Sequence, residues 1–469
     1  MKNFNLKIFF TFLIVLIFQS CTNHSEFDQN WKQIDNILDT IVEPSFNNVE
    51  LNIIDFGAKA DSTFDSNEAI QNAIDECSKN GGGKVIIPEG NYFSAGSIFL
   101  KSNVNLHLQN ANINFSTNSQ DYLPVVFTRW EGIELYNYSA LIYAKDQENI
   151  AITGKGILNG NATNEKWWPW KGRTEYGFID GMPSQLDSLS RPRLLRMNIS
   201  QAPVEERIFG NGYYLRPNFF QTINCKNILI DGITFKDSPM WFLHPVLSEN
   251  IIVRNVKVEG HGPNNDGLDP ESCKNVLIEN CEFNTGDDCI AIKSGRNADG
   301  RRINVPSENI IVRNCKMLDG HGGVVIGSEI SGGCKNVFVE NCEMDSPNLD
   351  RAIRIKTNTI RGGVVENIFV RNIKIGEVKE AVLRVNLLYE PKEIGERNFI
   401  PKVKNIYLSE IKSNKSERAF YLEGLENSTI DNISISNSAL NGVGKENIMN
   451  NVKNFSAENV YVNNELYKN

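Results

Sequence analysis

From residue 226 onward one ten-residue phrase keeps returning. It reads Lys226-Asn227-Ile228-Leu229-Ile230-Asp231-Gly232-Ile233-Thr234-Phe235, and again Glu249-Asn250-Ile251-Ile252-Val253-Arg254-Asn255-Val256-Lys257-Val258. A third copy starts at Lys274-Asn275, and others at Glu308, Lys335, Glu366, Lys404, Asp431 and Lys453; Glu148-Asn149-Ile150 is an earlier member. The anchoring asparagines from Asn227 to Asn454 stand 22 to 38 residues apart. Each copy alternates β-branched apolar with polar residues, the period of a strand. Helical repeats would need a 3.6 period, which is absent. Short strands at this spacing predict an all-β fold, a right-handed parallel β-helix with one repeat per coil. Asparagine tolerates left-handed backbone and its amide bonds neighbouring groups, so Asn at one offset predicts a ladder. Coils stack ~4.8 Å apart, which makes equivalent residues of successive coils neighbours.

The ends and interruptions of the period give the organisation. Asp65-Ser66-Asn67-Glu68-Ala69-Ile70 through Cys77 has helical spacing, with Asp65 or Ser66 as N-cap, and predicts an N-terminal capping helix. Gly81-Gly82-Gly83 stops it; no Lys-Ser/Thr follows, so this is no phosphate loop. Residues 161–222 break the period and read as an insertion. Its Trp167-Trp168-Pro169-Trp170 cluster has two readings, a packing anchor or a sugar platform. Lys2 and Lys7 precede the apolar stretch Ile8–Phe18 and the sequence Gln19-Ser20-Cys21, the layout of an export signal. Residues 1–20 are expected to be a lipoprotein-type signal peptide, Cys21 the lipidated residue, 21–48 a polar tether, and 49–469 a single β-helix catalytic domain.

Composition narrows the function. The chain has 469 residues and a net charge of −9, and without basic runs it makes a poor nucleic-acid partner. Hydrophobic residues at 41% and charged residues at 22% exclude global disorder. About 60 asparagines are far more than usual, and the ladder accounts for them. Beyond the leader no apolar run is long enough to span a bilayer, so membrane association would rest on the N-terminal lipid. Eight cysteines follow Cys21, six of them between 273 and 342. They lack zinc-ligand spacing and recur with the coils, which predicts buried free thiols.

Aligning the coils on their anchors collects the chemistry. Asn275 plus twelve is Asp287, in Gly286-Asp287-Asp288; Asn309 plus twelve is His321, in Gly320-His321-Gly322. One coil earlier Asn264-Asn265-Asp266 places Asp266 on Asp288, and one coil later Ile355-Lys356 aligns with Ile292-Lys293. Asp266, Asp287, Asp288, His321, Arg354 and Lys356 thus form a stripe on one face. Such a stripe suits hydrolysis of an acidic sugar. One protonated carboxyl serves the leaving oxygen, a second carboxylate activates water, and clustered carboxylates push each other's pKa apart. Arg354 and Lys356 would pair with a substrate carboxylate. Three aspartates can also hold Ca²⁺, but Lys293, Arg354 and Lys356 oppose a dication, so no metal or cofactor is expected. His261, between glycines, falls outside the register.

Asn264-Asn265-Asp266, Gly286-Asp287-Asp288, Gly320-His321-Gly322 and Arg354-Ile355-Lys356 resemble, in order, the four signature motifs of glycoside hydrolase family 28, the polygalacturonases. Asn265 stands where that family usually has Thr. Phe56-Gly57-Ala58 and Ser238-Pro239-Met240-Trp241 are similar too, so the likeness runs from about residue 50 to 460. The resemblance implies a β-helix that hydrolyses α-galacturonide bonds of pectin with inversion. It implies Asp287 as general acid, Asp266 and Asp288 activating water, and His321 in support. Asn264, Lys293, Arg354, Lys356 and Tyr389 would bind substrate, a pectic polysaccharide or oligogalacturonide. Related readings are a rhamnogalacturonan or xylogalacturonan hydrolase, a Ca²⁺-dependent pectate lyase and a non-catalytic glycan-binding β-helix. Three excursions, 161–222, 295–307 and 389–403, are placed to wall off the groove and predict exo-action. A monomer, exported and lipid-anchored in the periplasm or at the cell surface, is expected.

Overall fold

The computed structural model describes residues 31–468. The expected signal peptide and Cys21 lie outside the described residues. Met1–Thr40 and Ile41–Asn469 form separate units. In the first, part of the expected tether is a helix, Gln33–Thr40, with Ile34 and Ile37 one turn apart. Two turns are too short a run to register as a period in the sequence.

The second unit is a right-handed parallel β-helix. Ile228, Ile251, Val276, Ile310, Val337, Ile368, Ile406 and Ile433 are direct neighbours in eight successive coils. All eight are buried, because every phrase turns the same alternate positions inward. Across the coil a second parallel face runs through Ile290–Ile292, Val324–Ile326, Arg351–Lys356 and Ala381–Asn386. Upstream lies Leu243–Val246, joined to this face only by single bridges through Leu268 and Glu271.

The asparagine ladder is continuous. Asn149 donates to Asn103, Asn227 to Asn149, Asn250 to Asn227, and so on through Asn275, Asn309, Asn336, Asn367, Asn405 and Asn432, at 2.9–3.3 Å. Every one of these residues has φ between 50° and 63°. Of the common side chains asparagine best combines left-handed backbone with an amide that donates on one side and accepts on the other. Phe338, Phe369 and Tyr407 stack in register at 5.0 and 5.2 Å. All eight described cysteines are free and buried, as expected from their recurrence.

The capping helix is Asn67–Lys79; Ile70, Ala73, Ile74 and Cys77 are on its buried face. Ser66 is its N-cap, while the Asp65 side chain accepts from Asn67 N at 3.0 Å. The insertion ends slightly earlier than the broken period suggests, because the coil resumes with strand Phe220–Ile223. It carries a helix, Arg191–Ile199. Residues 295–307 enclose another, Asn297–Ile303. One excursion was not legible: an antiparallel hairpin, Val126–Trp130 with Ile133–Asn137. Glu131 and Gly132 turn it with φ of 45° and 77°, a two-residue turn of the primed type.

Asn309→Ala should remove two ladder bonds and place an alanine in left-handed backbone, lowering stability by roughly 1.5–3 kcal/mol. Asn309→Gly keeps the bonds broken but relieves the backbone, and should cost about 1 kcal/mol less. Urea denaturation of the three proteins checks the order.

Candidate active site

The bridged coil and its three downstream neighbours build the site. Leu268 pairs with Ile290, which stacks Asp266 on Asp288 as the alignment required. Ile292, Ile326 and Ile355 are in register, so Lys293 and Lys356 stand two coils apart on the same line. The backbone N–H of His321 donates to Asp287 O at 3.0 Å and brings the imidazole beside the Asp-Asp turn. Both flanking glycines are needed there. A Cβ on Gly320 would lie 2.5 Å from Asp287 O, and one on Gly322 would lie 2.4 Å from Val325 Cγ2.

Asp266, Asp287 and Asp288 each offer an oxygen within 4.8 Å of the others. Asp266 and Asp288 are buried and Asp287 faces the cleft, 21% exposed. Each already has a cation. His321 Nδ1 is 2.9 Å from Asp287 Oδ1, Lys356 Nζ is 2.7 Å from Asp288 Oδ2, and Lys293 Nζ is 3.5 Å from Asp266 Oδ2. The trio is compact enough to hold a cation, but these three partners occupy the place of a dication's charge.

The environments separate the carboxyls. Burial, with the charge of Asp287, pushes Asp266 up to about 7 against the pull of Lys293. Burial also acts on Asp287, but the hydrogen bond and charge of His321, with Lys356 and Lys171, outweigh it and hold Asp287 below the usual carboxylate range. The same bond raises His321 to about 9. Asp269, fully buried behind Asp266, is raised well above its ordinary value by desolvation and by Asp266. In the resting site the shared proton therefore sits on the Asp266 side, and Asp287 with His321 forms a carboxylate–imidazolium pair.

The other expected residues divide. Arg354 lies 3.6 Å from Asp288, and its buried Nε has no hydrogen-bond partner among the described residues. Tyr389 joins the cleft, its ring 5.6 Å from the Arg354 guanidinium and 5.4 Å from Lys356 Nζ. Asn264 lines the cleft and accepts from Lys171 and Arg216. Lys293 is different from the expectation. It is committed to Asp266, Asp269 and Glu329 at 3.2–3.5 Å and lies 4.5 Å over the Trp241 ring, so it positions carboxylates and has no charge spare for substrate. Asn265 is fully buried and accepts from Gly262 N while donating to Ser238 O and Met240 O, three bonds that a threonine could not all make. His261 faces Asp319 at 3.6 Å, away from the cleft. Trp167 is buried and meets Trp170 edge-on at 5.0 Å, and Trp168 donates to Ser238 O, so the tryptophan cluster is a packing anchor.

The cleft holds about 440 Å³. Its far wall comes from residues the pattern did not single out: Glu131 of the hairpin and Lys171, Tyr176, Gln185 and Arg191 of the insertion. Arg296 ties the walls together, bonding Glu131 at 3.0 Å, Glu393 at 2.9 Å and Glu329 at 3.2 Å. Aperiodic segments gave no register from which to place them. Only Asp269, three residues after Asp266, carried a local signal.

The family model for glycosyl hydrolases family 28 matches residues 210–460. The chain belongs to this family. It is a glycoside hydrolase. The preceding residues 51–161 match the rhamnogalacturonase A/epimerase, pectate lyase-like family. This family 28 hydrolase is similar to a solved exopolygalacturonase from Thermotoga maritima, 48% identical with a TM-score of 0.88, over 92% of this chain and 96% of that one. It is 27% identical to a probable polygalacturonase of Vitis vinifera (84% of this chain, 74% of the relative). An exo-poly-alpha-D-galacturonosidase of Dickeya chrysanthemi is 28% identical, over 85% and 68%.

Removing Asp287's charge removes what raises His321. In Asp287→Asn the imidazole should titrate well below 9, toward its ordinary value of about 6.5. NMR titration of the ring protons checks it; an unmoved value would mean that the pair is not what holds the proton.

Proposed function

We propose that this family 28 hydrolase is an exo-acting polygalacturonase that removes galacturonate from the non-reducing end of pectic oligomers. The observation that carries the reading is the wall that the excursions add to the cleft. The hairpin and the insertion add Glu131, Lys171, Tyr176 and Arg191 to a lining that also holds Asp266, Asp287, Arg354, Lys356 and Tyr389. In this reading the excursions stop a sugar chain from running through the cleft, so its terminal residue occupies the walled end and the bond beyond it lies at the carboxylates. The two named exo-acting relatives support the same reading.

In this reading Asp287, the carboxyl facing the cleft, delivers a proton to the leaving oxygen. The proton is the one held between Asp287 and His321 across 2.9 Å; its departure leaves a neutral imidazole. Asp266 and Asp288 hold the attacking water, and Asp288 takes its proton, since Asp266 already carries one. Arg354, whose Nε is unpartnered, receives the carboxylate of the galacturonate beyond the cut, a charge-assisted contact. Lys356 orients Asp288 through its 2.7 Å bond. The carboxyls are closer than the ~6.5–9.5 Å usual for an inverting pair. Stereochemistry is therefore a sharp test: proton NMR of the first product should show inversion, and retention would overturn these roles of the three aspartates.

We further propose, from the layout of its leader, that the protein is a monomeric lipoprotein at the periplasmic or outer face, anchored through Cys21. Cys21→Ser should move it from the membrane fraction to the soluble one, since the acyl chains supply the anchor.

Asp287→Asn should lower kcat by roughly 10²–10⁴-fold with the fold intact. On polygalacturonate the wild-type enzyme should release monomer while viscosity falls slowly. A steep viscosity drop in the first per cent of cleavage, with mixed oligomers, would replace exo- with endo-action.

A further inference from the structure

We infer that the walled end of the cleft is a carboxylate receptor, in which Lys171, with Arg216 behind it, meets the carboxylate of the substrate's terminal uronic acid. Such a receptor rests on exo-action and specifies what the closed end recognises. Lys171 Nζ donates to Asn264 Oδ1 at 2.6 Å, and Arg216 Nη2 donates to the same oxygen at 3.0 Å. Two cations thus converge on one neutral amide, two residues before Asp266.

Among the described residues neither cation has a carboxylate within ion-pair distance, although Glu131 and Asp287 act on Lys171 from further away. The other partners of Arg216 are the carbonyls of Pro239 and Pro263 and the Gln185 side chain, all neutral. Arg216 is fully buried, and its Nε has no hydrogen-bond partner. Glu131, whose charge acts on both groups, is taken by Arg191 at 2.8 Å and Arg296 at 3.0 Å. Elsewhere around the cleft the buried cations are paired: Lys293, Arg296, Lys356 and Arg361 each hold a carboxylate. The imbalance is confined to the walled end. Burial shows there as lowered pKa values, about 8 for Lys171 and about 10 for Arg216. A buried charge without a counter-charge is costly, and an arriving carboxylate supplies the missing partner.

Lys171 and Asn264 line the cleft with Asp266, and Asn264 belongs to the first coil of the site while Arg354 belongs to the last. A substrate would then be held by two carboxylates, one on each side of the scissile bond. The downstream one selects the leaving residue. The upstream one makes the enzyme select a uronic acid, against a neutral hexose, as the unit it removes.

The test uses trigalacturonate and the same trimer with only its non-reducing terminal carboxyl reduced to the alcohol. Wild-type kcat/KM on the intact trimer should be at least about tenfold higher, the scale of a lost charge-assisted contact. In Lys171→Met the two trimers should fall within about threefold of each other, with the loss on the intact trimer mainly in KM. Equal rates on both trimers by the wild-type enzyme would overturn the receptor, whether or not the variant folds. So would a Lys171→Met enzyme that keeps the discrimination. No release of monomer from either trimer would instead overturn the exo-action on which the receptor rests.

Discussion

A line of asparagines in left-handed backbone sets where each coil turns, and the site depends on it. Each amide donates to the coil before and accepts from the coil after. A coil that slipped by one residue would break both bonds and reverse which side chains face the core. Held in this register, residues at a constant offset from the ladder are stacked coil on coil. Asp287 and His321, both twelve positions past an anchor, meet at 2.9 Å for that reason.

Charge organises what the ladder does not reach. The hairpin, the insertion, the helix Asn297–Ile303 and the loop around Glu393 come from four separate stretches of chain. They meet through buried ion pairs: Arg296 with Glu131 and Glu393, and Arg207 with Asp299 at 2.6 Å. Such pairs contribute modest net stability, because desolvation offsets the attraction, but leaving one partner alone is expensive. Their effect is positional, a wall held at a defined place around a floor of aspartates. The same rule governs the floor, where Asp266, Asp287 and Asp288 each face a cation and the cations without a carboxylate at ion-pair distance stand at the walled end.

Burial redistributes the protons among chemically identical side chains. Asp266 and Asp287 are both aspartates in one cleft. One is pushed up by desolvation, and the other is held down by an imidazolium. Lys293 and Lys356 occupy equivalent positions two coils apart, yet Lys293 is shared among three carboxylates and Lys356 serves one. Sequence alignment makes such pairs look alike; their neighbours make them different.

The β-helix, the asparagine ladder, the free buried cysteines and the stripe from Asp266 to Lys356 were legible in the chain itself. In a parallel coil, spatial adjacency is sequence offset, so a period read along the chain is already a map of contacts. Tyr389 and Asn264 were placed by motif in the same way. The period could not place Glu131, Lys171, Arg191 or Arg216, which lie in excursions without a repeat, nor decide whether the tryptophans pack or bind. Those were settled only when the excursions folded back over the coils. The protonation of the aspartates was settled there too, because desolvation and the reach of a neighbouring charge depend on which distant segments close around a group, and no local pattern records that.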